Sequence, residues 1–155
     1  MHFFLSIYML LSVATGQITE PEFYKSFSDG TLQEINQLLD KLEQKSNLPK
    51  YRAYKGALMM KKSHFIKKPK DKIAVFNKGR QLLEKEIQTS PENTEYRFLR
   101  FIVQENAPKI VKYNKELATD KAFIIKHYST LPHKLKQHIF NYAKHSELLK
   151  EAELK

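Results

Sequence analysis

In "SPENTEYRFLRFIVQENAP" (residues 90–108), the side chains best equipped for chemistry are Arg97, Arg100 and Gln104. Spaced i, i+3 and i+7, they fall on one line of a helix that turns about 100° per residue. Two guanidinium groups and an amide on one line can clamp a carboxylate or phosphate, because the planar fork of arginine donors matches the oxygens of those groups. The same three residues also suit a structural task, in which they pair with Glu84, Glu86 or Glu95 where helices meet. Both readings are open at the level of sequence. In the first, Tyr51 and Tyr54 join the three as the lining of a ligand groove between helices.

Other chemistry finds less support. His127, His133, His138 and His145 raise a metal hypothesis, and His138 and His145 share a helix face. Their spacing of seven is wider than the three or four a chelating pair wants, and no HExxH occurs, so solvated or capping histidines are expected and no metal. The chain has no cysteine, which excludes thiolate catalysis and Cys-based zinc sites. It has no Gly-rich phosphate loop and no G-x-S-x-G elbow. Glu92 and Glu95 sit at a helix start, where the helix dipole explains them. A non-enzymatic protein with no cofactor is expected, with a hydrolase assembled from distant residues as the remaining enzymatic alternative.

The residues around that stretch favour helices. Glycine is scarce, four in 155 residues, and proline falls between periodic segments. Within residues 90–108, Ser90 as N-cap, Pro91 at the first turn and acidic residues after it start a helix that is apolar or aromatic on nearly all sides. Such a helix must be central. Before it, apolar spacing predicts helices over about 30–46, capped by Ser28 or Asp29, then 50–65 and 71–88. Ala53, Gly56 and Ala57 in the second of these leave room for a neighbouring helix. After Pro108 come a short helix in "PKIVKYNK", one over about 120–129 capped by Thr119, and a last one over about 132–152. The expectation is all-α, a single domain of six or seven antiparallel helices over 30–152, with an irregular lead-in at 17–29.

Charge and the N-terminus suggest an address. Residues 1–16 contain no charged side chain and carry an apolar run of eleven residues, Phe3 to Val13, followed by Ala14-Thr15-Gly16. That is the pattern of a signal peptide cleaved near Gly16, which makes the remaining 139 residues secreted or periplasmic. The net charge is +10, and residues 50–80 alone hold eleven Lys or Arg against one acid, Asp71. The rest of the chain is neutral. Lys61, Lys62, Lys67, Lys68, Lys70 and Lys72 are therefore candidates for contact with an anionic envelope surface, lipid or polymer. Nucleic acid is not expected as the partner of a secreted protein.

Two resemblances bear on the fold. "NKGRQLLEKEIQTSPEN" (77–93) resembles the second helix and closing turn of a tetratricopeptide repeat, with Gly79, Leu83 and Pro91 at its small, large apolar and terminal proline positions. Glu86 departs from the small residue usual there. More broadly, "AYKGALMMKK", "FNKGRQLLEKEI", "ENTEYRFLRFIVQENAPKI" and "DKAFI" resemble a family of uncharacterised, signal-bearing bacterial helical proteins. The resemblance implies secretion and degenerate, tetratricopeptide-like stacking of helical hairpins, and it brings no activity. A binding or scaffold protein whose partner is a protein or peptide is the expected function.

Overall fold

The computed structural model describes residues 17–155; the expected signal segment, 1–16, lies outside the described residues. Those described form seven α-helices and three short 3-10 turns, with no strand among them. The helices are α1 (Glu20–Asp29), α2 (Leu32–Glu43), α3 (Pro49–Ser63), α4 (Pro69–Thr89), α5 (Thr94–Asn106), α6 (Leu117–His127) and α7 (His133–Ala143).

The lead-in expected to be irregular is mostly helix. The Thr19 hydroxyl accepts the Glu22 N–H at 3.3 Å, Pro21 occupies the first turn, and Glu20 and Glu22 face the positive end of the dipole. This start holds Phe23, Tyr24 and Phe27 on one buried face. Neither Ser28 nor Asp29 caps the next helix. Thr31 does, in a capping box: its N–H donates to Glu34 Oε2 at 2.8 Å while Glu34 N–H donates back to Thr31 Oγ1 at 3.3 Å.

Helices α3 and α4 pack tightly because of two glycines. A Cβ on Gly56 would sit 2.7 Å from the Gly79 carbonyl oxygen, and one on Gly79 would sit 2.5 Å from that of Gly56. The close approach expected of the small residues of α3 is therefore realised at one crossing point. Nearby, Arg52 Nε donates to the buried carboxylate of Glu86 at 2.6 Å, which accounts for a charged residue where a small one would suit a repeat.

Helix α5 is the core of the molecule. Eight of its thirteen residues are buried, with Phe98, Leu99 and Phe101 wholly so, and it packs against α3, α4 and α6. Its start differs from expectation. Helix α4 runs on to Thr89, so Ser90, Pro91 and Glu92 form the reversal, and Asn93 is the cap whose Oδ1 accepts the Tyr96 N–H at 3.1 Å. Beyond it, "PKIVKYNK" makes only a 3-10 turn at Lys109–Val111, followed by Lys112 at φ 45°. Helix α6 starts at Leu117 without a side-chain cap, so Thr119 lies inside its first turn.

The last helix stops at Ala143, well short of 152. The Glu105 carboxylate of α5 ends it, accepting from Ser146 Oγ at 2.8 Å and from the N–H groups of Glu147 and Leu148 at 2.8 and 3.0 Å. Ser146 Oγ in turn accepts the Leu149 N–H at 2.9 Å, and Leu149 is still delivered to the core from outside the helix.

Candidate functional site

The two arginines of α5 already hold an anion, and it belongs to the protein. Asp120, wholly buried in the first turn of α6, accepts from Arg100 Nε at 2.6 Å and Nη2 at 2.8 Å, and from Arg97 Nη1 at 3.2 Å. Arg100 Nη1 also donates to Glu84 Oε2 at 2.9 Å, and Tyr113 Oη donates to Glu84 Oε1 at 2.5 Å. Burial works against the Arg100 charge, but Asp120 and Glu84 outweigh it and hold the guanidinium above its ordinary range. Arg97 lies flat over the Phe123 ring, 4.2 Å from its centroid, and donates to the Pro91 carbonyl at 2.6 Å. All three guanidinium nitrogens of Arg100, and Nε and Nη1 of Arg97, are thereby engaged. Of the three carboxylates proposed from sequence, only Glu84 joins; Glu86 belongs to Arg52, and Glu95 lies elsewhere.

Glu95 gathers the tyrosines instead. Tyr54 is wholly buried, stacked 3.7 Å from Phe23, and its hydroxyl donates to Glu95 Oε1 at 2.5 Å; Tyr24 donates to the same oxygen at 3.4 Å. Burial first, and Glu95 second, push both phenols far above their ordinary range, so they serve as fixed donors. Tyr51 is half-buried and meets Tyr54 edge to face. Tyr51 and Tyr54 therefore do not share a groove with Arg97, Arg100 and Gln104. Gln104 is buried beside Arg100, its amide oxygen without a partner, at the edge of a polar hollow of about 380 Å³ that also meets Arg80, Lys112 and Tyr113.

A larger groove lies on the other flank of α5, enclosed by α1, α3, α5 and α7, with a volume of about 900 Å³. Tyr24, Phe27, Met60, Phe98 and Val103 close its floor, and Ile102 and Tyr142 are the half-buried sides. The rim is polar, with two lysines against one acid: Lys25 and Asp29 from α1, Lys61 and His64 at the end of α3, Asn106 from α5, His138, Asn141 and His145 at α7. His138 stacks on Tyr24 with 3.9 Å between ring centroids. Burial lowers the pKa of His138, and burial with Lys61 and Lys72 nearby lowers that of His64. At neutral pH both imidazoles are uncharged. A groove of this size, apolar below and hydrogen-bonding at the edge, is in the range that takes a ligand.

Sequence reasoning reached only parts of this groove. Lys61, His138 and His145 stand out in the sequence, but the two histidines do not share a helix face, since α7 ends at Ala143, and both reach the groove only through the fold; α1, which supplies one wall, was the segment expected to be irregular. His127 is apart, its Nδ1 2.9 Å from the Phe123 carbonyl oxygen, and among the described residues no three His, Cys, Asp or Glu side chains converge as metal ligands. Of the six lysines proposed for surface contact, Lys67, Lys68 and Lys70 are exposed and Lys61, Lys62 and Lys72 half-buried. Lys61 Nζ donates to the Ser28 carbonyl at 2.9 Å, and none of the six pairs with a carboxylate among the described residues. No helix among the described residues is long and apolar enough to cross a membrane. No protein-family model, curated protein or solved structure matches the chain.

Proposed function

We propose that this protein is a non-enzymatic helical binding protein, secreted or periplasmic after loss of a leader ending near Gly16, that holds a protein segment in the groove between α1, α3, α5 and α7. The observation that carries the proposal is the groove itself, about 900 Å³ with an apolar floor and a hydrogen-bonding rim. The self-contained pairing of Arg97 and Arg100 with Asp120 moves the ligand site away from the arginine line and onto this flank. A degenerate tetratricopeptide-like hairpin is supported by α3 and α4, whose contacts Gly56 with Gly79 and Arg52 with Glu86 run in opposite directions along the two helices.

Panning a random peptide library on the immobilised protein tests this. Retained peptides should shift the nuclear magnetic resonance signals of groove residues and lose binding to Asn141→Trp, which fills the groove from an exposed position. Peptides that map elsewhere, or bind that variant equally well, refute the site.

A second reading keeps one specific observation on its side. Phe65 is 43% exposed beside the unpaired lysines of the turn between α3 and α4, an arrangement suited to an anionic envelope surface. Sedimentation with anionic vesicles should then fall steeply as salt is raised, and salt-independent binding would argue against it.

A further inference from the structure

The rim of the groove has a charge pattern that its floor does not require. With His64 and His138 neutral, Lys25 and Lys61 against Asp29 leave one net positive charge; with both protonated the same rim carries three. The rim is also continuous with the most basic part of the molecule, because Lys61 and His64 lie at the end of α3 where the chain enters the lysine-rich turn.

We propose that the occupant of this groove is an acidic peptide segment, and that it is held more tightly as pH falls through the histidine range. The proposal rests on the groove reading above and adds the chemistry of the ligand. Carboxylates meet the rim while intervening apolar side chains enter the floor between Ile102 and Tyr142. A peptide fits better than an alkyl carboxylate, because the Asn141 amide nitrogen offers a hydrogen bond that a peptide backbone uses and an acyl chain does not, whereas that of Asn106 is already engaged by the Ile102 carbonyl and Tyr142.

The pH response follows from what surrounds the imidazoles. His64 faces Lys61 and Lys72, and His138 faces Glu20 and Lys50 as well as the Tyr24 ring. Across the rim stand Lys25 and Asp29 of α1. Of the acids of α5, Glu105 is taken up by Tyr142 and Ser146, and Glu95 by Tyr54 and Tyr24; α7 has none. A bound carboxylate therefore supplies the anion His64 lacks and adds a second to the Glu20 that His138 already faces, so binding takes up protons.

The test is fluorescence anisotropy with labelled peptides of one length: Glu alternating with Leu and Phe, the same peptide with every Glu replaced by Gln, and a Lys version. Adding up to two rim charges should tighten the Glu peptide about tenfold between roughly pH 7.5 and pH 5.5. The Gln peptide should not change, and the Lys peptide should bind weakest. Lys25→Glu should weaken the Glu peptide more than the Gln peptide. Replacing His64 and His138 by Gln should abolish the pH response of the Glu peptide, and a response that persists in that variant overturns the histidine assignment. If Glu and Gln peptides bind equally at both pH values and Asn141→Trp blocks both, the acidic ligand is wrong and the groove stands. If no peptide binds, or Asn141→Trp blocks none, the groove reading fails and this inference with it. Binding of dodecanoate with exclusion of the Glu peptide assigns the site to an alkyl carboxylate and overturns the peptide.

Discussion

Removing the Asp120 carboxylate should be the most damaging single change away from the aromatic core. Asp120→Ala strips Arg100, 6% exposed, of a two-pronged partner and Arg97 of its only ion pair among the described residues. Breaking a buried pair by deleting one member costs about 3–5 kcal/mol, because the surviving charge is left desolvated. Glu84 still holds one Arg100 nitrogen at 2.9 Å, which places the expected loss at the lower end, about 3 kcal/mol. For a chain of this length that lowers the melting temperature by about 10 °C. Urea unfolding followed by far-ultraviolet circular dichroism measures it, with the slope against urea expected to be unchanged. Arg100→Met together with Asp120→Leu should cost less than the sum of the two single changes, since the Arg100–Asp120 pair leaves together and the cavity is refilled with apolar volume. A loss below about 1 kcal/mol for Asp120→Ala is what an exposed pair gives and would refute the network as a structural device.

Gly56→Ala drives a methyl to within 2.7 Å of the Gly79 carbonyl, backbone against backbone, and should lower the urea midpoint by the equivalent of about 2 kcal/mol; an unchanged midpoint contradicts the crossing. His64 and His138 are both depressed, so the unfolded chain binds protons at a higher pH than the folded one. Stability should therefore fall as pH drops below about 6.5, with a shallower fall in His138→Gln; stability that rises on acidification sinks the assignment. Glu105→Gln weakens the acceptor of Ser146, Glu147 and Leu148, and hydrogen exchange at those amides should accelerate while the α5 amides stay protected.

How much of this is legible in the sequence depends on the range of the forces involved. Helices α2 to α5 are signalled locally, by 3.6-residue apolar spacing and by Pro49, Pro69 and the turn at residues 90–93. The central position of α5 follows from its all-round apolar character. What escapes is set by partners distant in the chain. Helix α1 needs the burial of Phe23 against Tyr54, thirty-one residues on, before its short polar sequence reads as helix. Asp120 is twenty residues from Arg100, on an element whose orientation no spacing rule supplies. The early end of α7 is imposed by Glu105, since its own sequence would extend the helix. The groove needs four elements at once, and one of them carried no clear signal.

The neutralised arginines also decide how the molecule meets its surroundings. Because Arg97 and Arg100 answer to Asp120 and Glu84 at short range, they add almost nothing to the field felt far from the surface. That distant field is set by the lysines between residues 61 and 72, which lie at one extremity of the α3–α4 pair. A negatively charged body drifting nearby would turn the protein to present this extremity first, so that collisions are oriented before any contact forms.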